Sequence, residues 1–388
     1  MYNLIEVGMD RINYRICTRC VMDTSDPGIL FGDNGYCNRC TAFINHSGSS
    51  KVNKRELGQI AETLIQKIKQ SGEGKEYDCI IGVSGGVDST YVAYLTKQHN
   101  LRALAVHLDN GWNTTLAVTN IERCMKKLEI DLYTHVLNWE EFRDLQVSFL
   151  KASTPDSEIP TDHAIFALMA QKAQELGVKY ILTGVNHATE GFALPNFGAG
   201  APYDWKYIKC IHRKFGNKSL TNYPHQSLFL QLWRKFVLGQ EKTPFLDYFD
   251  YNKEEAIQVI QKEVGWMPYS GKHHESIYTR FFQSYIMPKK FGFDKRRLHL
   301  SNLIMSGQLN RDQALAELGN AICSEELLRE DKVFVVKKLA LNGNEFENIM
   351  NAEPKTVSDY STYEKTFIIK WHRARHASVF NSSDGWEV

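Results

Sequence analysis

The sequence predicts an α/β protein with a doubly wound parallel sheet, a cysteine-rich segment before it and a mostly helical region after it. Short apolar runs alternate with helical patterns between about residues 55 and 190, and four of the eight cysteines lie between residues 17 and 40. Strands that alternate with helices at this spacing form a parallel sheet with right-handed crossovers. We therefore expect a metal-binding segment over 1–50, an α/β domain over 51–245 and a C-terminal region over 246–388 that completes the substrate site.

The predicted elements follow one another closely along the middle of the chain. Predicted strands are DCIIGV (78–83), RALAVHLD (102–109), LYTHVL (132–137) and KYILTG (179–184). Predicted helices cover 56–70, 89–98, 116–129, 139–153 and 162–177. Short apolar runs bounded by polar residues or glycine are typical of parallel strands that are buried on both faces. Ligands bind to such sheets at the carboxyl ends of the strands, so a binding site is expected there.

Composition and charge exclude several classes of protein. The chain has 46 Lys and Arg against 45 Asp and Glu, a formal net charge of +1, so no overall field attracts it to nucleic acid or to an anionic membrane. With 43% hydrophobic residues it can bury a large core. The N-terminus lacks the apolar run of a signal peptide, and no run of about 18 apolar residues occurs. These observations predict a cytoplasmic protein with no membrane insertion and no nucleic-acid partner.

The most informative motif is Ser-Gly-Gly-Val-Asp-Ser at residues 84–89, between the first predicted strand and the next helix. Free amides and the helix dipole at such a junction favour an anion, and glycine allows the backbone to approach phosphate oxygens closely. The hydroxyls of Ser84 and Ser89 add donors. Asp88 would repel a bare polyphosphate and therefore indicates a bridging Mg²⁺. The motif is neither GxxxxGK[ST] nor GxGxxG, and it resembles the SGGxDS loop of the PP-loop ATP pyrophosphatases.

That resemblance implies ATP as a ligand and extends the site to two further strand ends. The second strand ends in HLDNG (107–111), which resembles the place where the superfamily holds adenosine, and the fourth in LTGVN (182–186), which resembles its loop near the α-phosphate and ribose. Asp88 and Glu190 are the predicted Mg²⁺ ligands, although Asp109 and Glu190 could equally be ordinary loop carboxylates. The predicted ATP-binding residues are Val83, Ser84, Gly85, Gly86, Asp88, Ser89, His107, Asp109, Thr183, Gly184 and Asn186.

Four cysteines near the N-terminus form the pattern C-x2-C-x16-C-x2-C. They are Cys17, Cys20, Cys37 and Cys40. Two such knuckles bring four thiolates around one tetrahedral Zn²⁺, and four protein ligands leave no coordination position open for chemistry. We therefore predict a structural zinc site that supplies the folding energy of a segment too short to build its own core. An iron–sulfur cluster, which also takes four thiolates, is the alternative.

The cysteine knuckles, the phosphate loop and LTGVNHATEG together resemble the N-acetyl sugar amidotransferase family, bacterial PP-loop enzymes of surface-polysaccharide and flagellin-glycan biosynthesis. The resemblance includes residues 17–40 and 272–315 and so covers most of the chain, whereas the role of residues 320–388 is open. It implies that an acetamido group on a sugar becomes an acetamidino group. The amide oxygen attacks the α-phosphate of ATP, pyrophosphate leaves, and ammonia displaces AMP. The identity of the sugar and of its carrier is open.

The later segment supplies the predicted substrate side. The predicted catalytic residues are Asp88, Ser84, Arg296, Arg297, His273 and His274. The basic run could hold pyrophosphate, or the diphosphate or carboxylate of a sugar, but such runs and adjacent histidines are also common on solvated surfaces. No cysteine stands in a recognisable nucleophile context. The resemblance therefore implies separate glutaminase and cyclase-like subunits that supply ammonia.

The alternative function is that of a PP-loop tRNA-modifying enzyme, a thiolase or a lysidine-type ligase, since some of these also carry zinc knuckles. Such an enzyme binds RNA and is expected to carry a basic stripe. The net charge of +1 weighs against it, though only weakly.

Overall fold

A five-stranded parallel sheet lies at the centre of the protein in the computed structural model, which describes residues 14–47, 54–191, 201–269, 271 and 274–363. The strands are β1 (Cys79–Gly82), β2 (Ala103–Asp109), β3 (Asp131–Val136), β4 (Tyr180–Thr183) and β5 (Glu241–Pro244). Their order is β3-β2-β1-β4-β5, and every neighbouring pair is parallel. The chain order reverses between β1 and β4, which is where ligands bind in open α/β sheets. The predicted α/β class is confirmed.

Helices cover both faces of the sheet and form most of the C-terminal region. They are α1 (Asn38–Ser47), α2 (Lys54–Ser71), α3 (Val87–Gln98), α4 (Thr115–Leu128), α5 (Trp139–Ala152), α6 (Ile159–Glu175), α7 (His187–Glu190), α8 (Trp205–Phe215), α9 (Leu228–Phe236), α10 (Lys253–Val264), α11 (Ile277–Phe281), α12 (Met287–Phe291), α13 (Arg296–Met305), α14 (Arg311–Gly319), α15 (Glu325–Lys338) and α16 (Gly343–Asn351). A π-helical turn joins α11 to α12. Among the described helices, none is both long enough and apolar enough to cross a membrane.

The core is divided between the two faces of the sheet because successive strand residues point in opposite directions. Ile80 and Leu104 belong to the cluster on one face, and Cys79, Ile81 and Ala105 to the cluster on the other. All five side chains are buried, so the apolar runs of β1 and β2 are filled on both sides, as the sequence predicts.

The C-terminal region is attached to the sheet through the loop that follows β2. The amide of Thr114 donates to the carbonyl of Glu275 at 2.9 Å, and the amide of Ile277 donates to the carbonyl of Trp112, also at 2.9 Å. An antiparallel bridge pairs Asn113 with Ser276 between them. This short ladder brings the start of α11 to the carboxyl end of the sheet, beside the phosphate loop.

Candidate nucleotide site and four-cysteine centre

The phosphate loop (residues 84–89) makes a tight turn between β1 and α3. Gly85 has φ +81°, and a Cβ atom on it would lie 2.9 Å from the carbonyl oxygen of Ala117. Its own carbonyl accepts hydrogen bonds from the indole of Trp266 at 2.8 Å and from the hydroxyl of Tyr269 at 3.0 Å. Only glycine fits this backbone and this space, and the two aromatic donors fix the direction of the turn.

The donors of the loop point to one another and to the start of α3. The Ser84 and Ser89 hydroxyls are 3.2 Å apart, and the Ser84 hydroxyl accepts the Gly86 amide at 3.3 Å. Gly86 is the N-cap of α3 and has no side chain that could accept a hydrogen bond from the amides of the first turn. Free amides at the positive end of a helix, flanked by two hydroxyls, fit the phosphate groups of a nucleotide.

The end of β4 packs directly on the phosphate loop. A Cβ atom on Gly184 would lie 2.9 Å from the amide nitrogen of Ser89 and 3.0 Å from the carbonyl carbon of Asp88. Thr183 lies beside it and donates its hydroxyl to the carbonyl of Thr243 at 3.4 Å. Asn186 is buried and caps α7, so it holds the loop rather than lining the cleft. Two adjacent strand ends therefore meet at one site.

The two predicted Mg²⁺ ligands lie near one tyrosine. The hydroxyl of Tyr251 donates to the Asp88 carboxylate. Burial raises the pKa of Tyr251, and the charges of Asp88 and then Glu190 raise it further. Asp88 in the phosphate loop and Glu190 at the end of α7 offer carboxylate oxygens, the donors that a hard divalent ion prefers, so the residue types fit Mg²⁺.

The end of β2 presents His107 rather than Asp109 to the cleft. His107 is buried. Its Nδ1 donates to the carbonyl of Val83 at 2.9 Å, and its Nε2 accepts from the side-chain amide of Asn113 at 3.1 Å. Burial lowers the pKa of His107, which favours the neutral ring that both contacts require. Asp109 accepts the amide of Gly111 at 2.8 Å and does not line the cleft.

A single cleft of about 340 Å³ joins the phosphate loop to the C-terminal region. Its charged and polar lining residues beyond the loop are His107, Asn110, Asn113, Asp156, Glu158, Thr161, Asp162, Thr183, Glu275, Ser276, Thr279, Gln283 and Lys295. Burial raises the pKa of Asp156 to about 6 and raises that of Asp162 well above its usual value. The sequence analysis did not identify these carboxylates, because acidic residues at the start of a helix are common.

The predicted basic pair lies outside the cleft, and its neighbour Lys295 lines it. Arg296 binds Asp294 at 2.7 Å, and Arg297 binds Asp23 at 2.9 Å. Lys295, Arg296 and Arg297 lie at the N-terminus of α13, where consecutive side chains point about 100° apart around the helix axis. Arg296 is thus held by a carboxylate two residues before it and Arg297 by one in the cysteine-rich segment, and the charge of this run in the cleft comes from Lys295.

The structure describes one member of the predicted histidine pair. His273 lies outside the described residues, and His274 does not line the cleft, whereas its neighbours Glu275 and Ser276 do. Arg280, on α11, donates two hydrogen bonds of 2.7 Å to the buried carboxylate of Asp331 and so joins α11 to α15.

The four cysteines form a compact centre. Their Sγ atoms all lie within 4.8 Å of one another, with 3.8 Å between Cys17 and Cys40 and 3.7 Å between Cys20 and Cys37. A tetrahedron with Zn–S bonds of about 2.3 Å has edges of about 3.8 Å, so the thiolates fit one tetrahedral ion. The Arg311 guanidinium donates to the carbonyls of Cys17 and Cys20 at 3.1 Å, which anchors the first knuckle to α14.

Two family models match separate parts of the chain. The model of NAD synthase matches residues 56–145, which include the phosphate loop. The model described as the C-terminal domain of WbpG-like LPS biosynthesis proteins matches residues 275–376, which begin at the ladder beside the cleft.

Similar proteins include an uncharacterised protein of Methanocaldococcus jannaschii, 26% identical over 170 residues, and the tRNA-specific 2-thiouridylase MnmA of Chlamydia pneumoniae, 35% identical over 121 residues. The alignments cover 43% and 27% of this chain, and they span only 58% and 33% of those relatives. Among solved structures, the NH3-dependent NAD synthetase from Campylobacter jejuni aligns with a TM-score of 0.29 and 14% identity, over 54% of this chain and 84% of that chain.

Proposed function

We propose that this chain is an N-acetyl sugar amidotransferase of the PP-loop ATP pyrophosphatase superfamily and uses ATP to convert an acetamido group of a nucleotide-linked sugar into an acetamidino group. The reaction serves bacterial surface-glycan synthesis in the cytoplasm, and separate glutaminase and cyclase-like subunits supply the ammonia. The observation that best supports the proposal is one cleft that is lined both by Ser84 and Ser89 of the phosphate loop and by five residues of the WbpG-like region, which are Glu275, Ser276, Thr279, Gln283 and Lys295.

In this reaction the residues of the chain position two reactants and balance charge. The amides of the phosphate loop and the hydroxyls of Ser84 and Ser89 hold the phosphates of ATP. Asp88 and Glu190 would hold Mg²⁺, which would supply positive charge to balance the phosphates. The sugar's amide oxygen attacks the α-phosphorus, and the bond to pyrophosphate breaks. Because an amide is a poor nucleophile and a poor electrophile, most of the catalysis is positioning and charge stabilisation.

The test is incubation with ATP, Mg²⁺, ammonium chloride and a panel of nucleotide-linked acetamido sugars. We expect AMP, pyrophosphate and a product lighter than its substrate by about one mass unit, because NH replaces oxygen. Asp88→Ala should abolish turnover, whereas Asp312→Ala, an exposed carboxylate in the first turn of α14, should not. Formation of ADP and orthophosphate would reject adenylation.

The second candidate is tRNA modification, which the MnmA matches favour over about a quarter of the chain. Tight, salt-sensitive binding of bulk tRNA in a gel shift would support it, because phosphate contacts release counterions. The sugar reaction predicts no such binding.

We also propose that the four-cysteine centre holds a structural zinc ion. The separations of 3.7 and 3.8 Å between thiolates support a single ion, since a multi-iron cluster must fit its own atoms between them. Elemental analysis should find one zinc per chain. Iron, together with visible absorbance from sulfide-to-iron charge transfer, would instead support the iron–sulfur alternative.

A further inference from the structure

The part of the cleft formed by α6 and the segment before it is strongly acidic. Asp156 and Glu158 precede α6, Asp162 lies in its first turn, and all three line the same cleft as the phosphate loop. Lys295 is the only lysine or arginine among the described residues of that lining. Carboxylates so close to a triphosphate site oppose the binding of ATP, so the arrangement calls for a cationic ligand or a proton-transfer role.

Among the described residues, Asp162 differs from Asp156 and Glu158 because its carboxylate accepts no hydrogen bond that would stabilise the fold. Asp156 accepts the amide of Glu158 at 2.9 Å, and Glu158 accepts the side-chain amide of Gln283 at 3.2 Å. The amide of Asp162 donates to the carbonyl of Glu158 at 3.2 Å, but its carboxylate forms no hydrogen bond or ion pair with any residue that the structure describes. A first-turn carboxylate normally has a lowered pKa because of the helix dipole. Here burial, followed by the charges of Asp156 and Glu158, raises the pKa of Asp162.

The second half of the proposed reaction generates a cation and releases a proton. After adenylation the acetamido carbon carries oxygen-linked AMP. The lone pair of ammonia forms a bond to that carbon, one N–H proton leaves, and the C–O bond breaks with its electron pair going to AMP. The carbon is left as an amidinium ion, which is positively charged at neutral pH. A carboxylate next to this carbon can therefore both accept the proton and stabilise the developing charge.

We propose that Asp162, supported by Asp156 and Glu158, forms the ammonia subsite of the cleft, where its carboxylate orients the attacking nitrogen and accepts one of its protons. The proposal rests on the proposed function and names the residue that serves its second step. Lys295 opposes the three carboxylates from the C-terminal region and limits the repulsion between them and ATP.

The two half-reactions can be measured separately with Asp162→Asn. Exchange of labelled pyrophosphate into ATP, dependent on the sugar and measured without ammonia, reports adenylation. Amidine formation with ammonium chloride reports both steps. We expect the variant to retain exchange within about twofold and to form amidine at least about 100-fold more slowly, the usual scale for loss of a general base. Asp162→Glu should recover part of the lost rate, because it restores a carboxylate.

Asp312→Asn is the matched control, since this exposed carboxylate also lies in the first turn of a helix, and it should leave both measurements unchanged. Equal loss of exchange and amidine formation in Asp162→Asn would overturn the ammonia subsite and indicate a role in adenylation or in Mg²⁺ binding. Unchanged amidine formation would overturn it as well. Absence of exchange in the unmodified chain with every sugar would instead refute the proposed function, and the subsite with it.

Discussion

Gly85 is the residue on which the shape of the phosphate loop depends. Replacement by alanine places a methyl group 2.9 Å from a backbone carbonyl that cannot move aside, at φ +81°. We expect Gly85→Ala to weaken ATP binding by about tenfold or more and to lower the free energy of unfolding by more than the roughly 1–2 kcal/mol that positive φ costs any non-glycine residue. ATP titration and urea unfolding measure the two effects.

Gly74→Ala is the matched control for this substitution. Gly74 has φ +73°, but no heavy atom lies within 4 Å of the position that its Cβ would take. The variant should show the conformational cost alone and bind ATP normally. Equal destabilisation in the two variants, with ATP affinity unchanged in both, would contradict the role given to the close approach at Ala117.

His163 makes the stability of the fold sensitive to acid. Its Nδ1 donates to the carbonyl of Pro202 at 2.6 Å and its Nε2 accepts the amide of Gln226 at 3.2 Å, so only the neutral ring satisfies both contacts. Burial lowers the pKa of His163 to about 4. Because the unfolded chain takes up this proton first, near pH 6.5, the stabilisation is complete above that pH and is lost as the pH falls toward 4.

Between pH 6.5 and 5 this single group should reduce the free energy of unfolding by about 1.6 kcal/mol, because the slope only approaches its limit of about 1.4 kcal/mol per pH unit below pH 6.5. The measurement is urea unfolding across that range for the unmodified chain and for His163→Gln, whose curve should lack this part of the slope. His225→Gln, at an exposed histidine stacked 4.4 Å from Trp205, should keep it. Parallel curves for the unmodified chain and His163→Gln would refute the assignment.

Residues whose type is required by backbone geometry could be predicted from the motifs. Whether a given side chain faces the cleft could not, because that depends on the orientation of its helix. Ser84 to Ser89 and Gly184 are recognisable because loop chemistry restricts what can stand there. The Lys-Arg-Arg run at residues 295–297 is recognisable as basic, but which member faces the cleft depends on the rotation of α13, and that is set by Asp23 and Asp294. Asp162 carries no sequence signal that separates it from an ordinary helix-start acid.

At the scale of elements, the alternation of apolar strands and amphipathic helices predicts nine elements between residues 54 and 183, each end within three residues of its observed position. β5 was missed because Glu-Lys-Thr-Pro has neither an apolar run nor alternation. It lies at the edge of the sheet and pairs only with β4, where a terminal proline is tolerated. The order of the strands in the sheet could not be predicted from local patterns either, because it depends on contacts between residues far apart in the sequence.

The first cysteine knuckle is supported by α14 as well as by the proposed zinc ion. Arg311 donates to the carbonyls of Cys17 and Cys20, and thus fixes the backbone that presents two of the four thiolates. We expect Arg311→Ala to release the metal to a colorimetric chelator about tenfold faster or more, the usual effect of losing a group that supports metal ligands. Phosphate-loop function should be retained, and ATP titration checks this.

Arg329→Ala serves as the control for Arg311, since Arg329 lies on α15 with its side chain 79% exposed and pairs only with Glu325 on the same helix. Its metal release should match that of the unmodified chain. Identical release from all three proteins would mean that the knuckle is held by its thiolates alone.

At the scale of the whole molecule, the candidate site exists only because distant parts of the chain meet. The phosphate loop and the acidic group belong to the α/β domain, whereas Glu275, Ser276 and Lys295 belong to the region matched by the WbpG-like model. The ladder between residues 112–114 and 275–277 joins them across more than 150 positions. Sequence patterns are local, so they predicted each part separately, and the expectation that the C-terminal region completes the substrate site came from the family resemblance. Which residues of that region line the cleft could not be predicted.

Lys295 offers a measure of how strongly these parts are coupled. Burial acts to lower the pKa of Lys295, but the charges of Glu158, Asp156 and Asp162 outweigh it and raise the pKa.

Lys295→Met leaves those carboxylates without their cation and should lower the free energy of unfolding by about 1 kcal/mol or more. The variant Lys295→Met/Glu158→Gln removes one carboxylate as well and should regain part of the loss, with a coupling energy of at least about 0.5 kcal/mol. Urea unfolding at neutral pH provides the four values of the cycle. Lys262→Met, at a side chain 84% exposed, should change stability by less than about 0.5 kcal/mol. If the effects of the two single substitutions simply add, the charges across the cleft do not hold the C-terminal region to the sheet, and the ladder after β2 and the shared apolar core must do so without them.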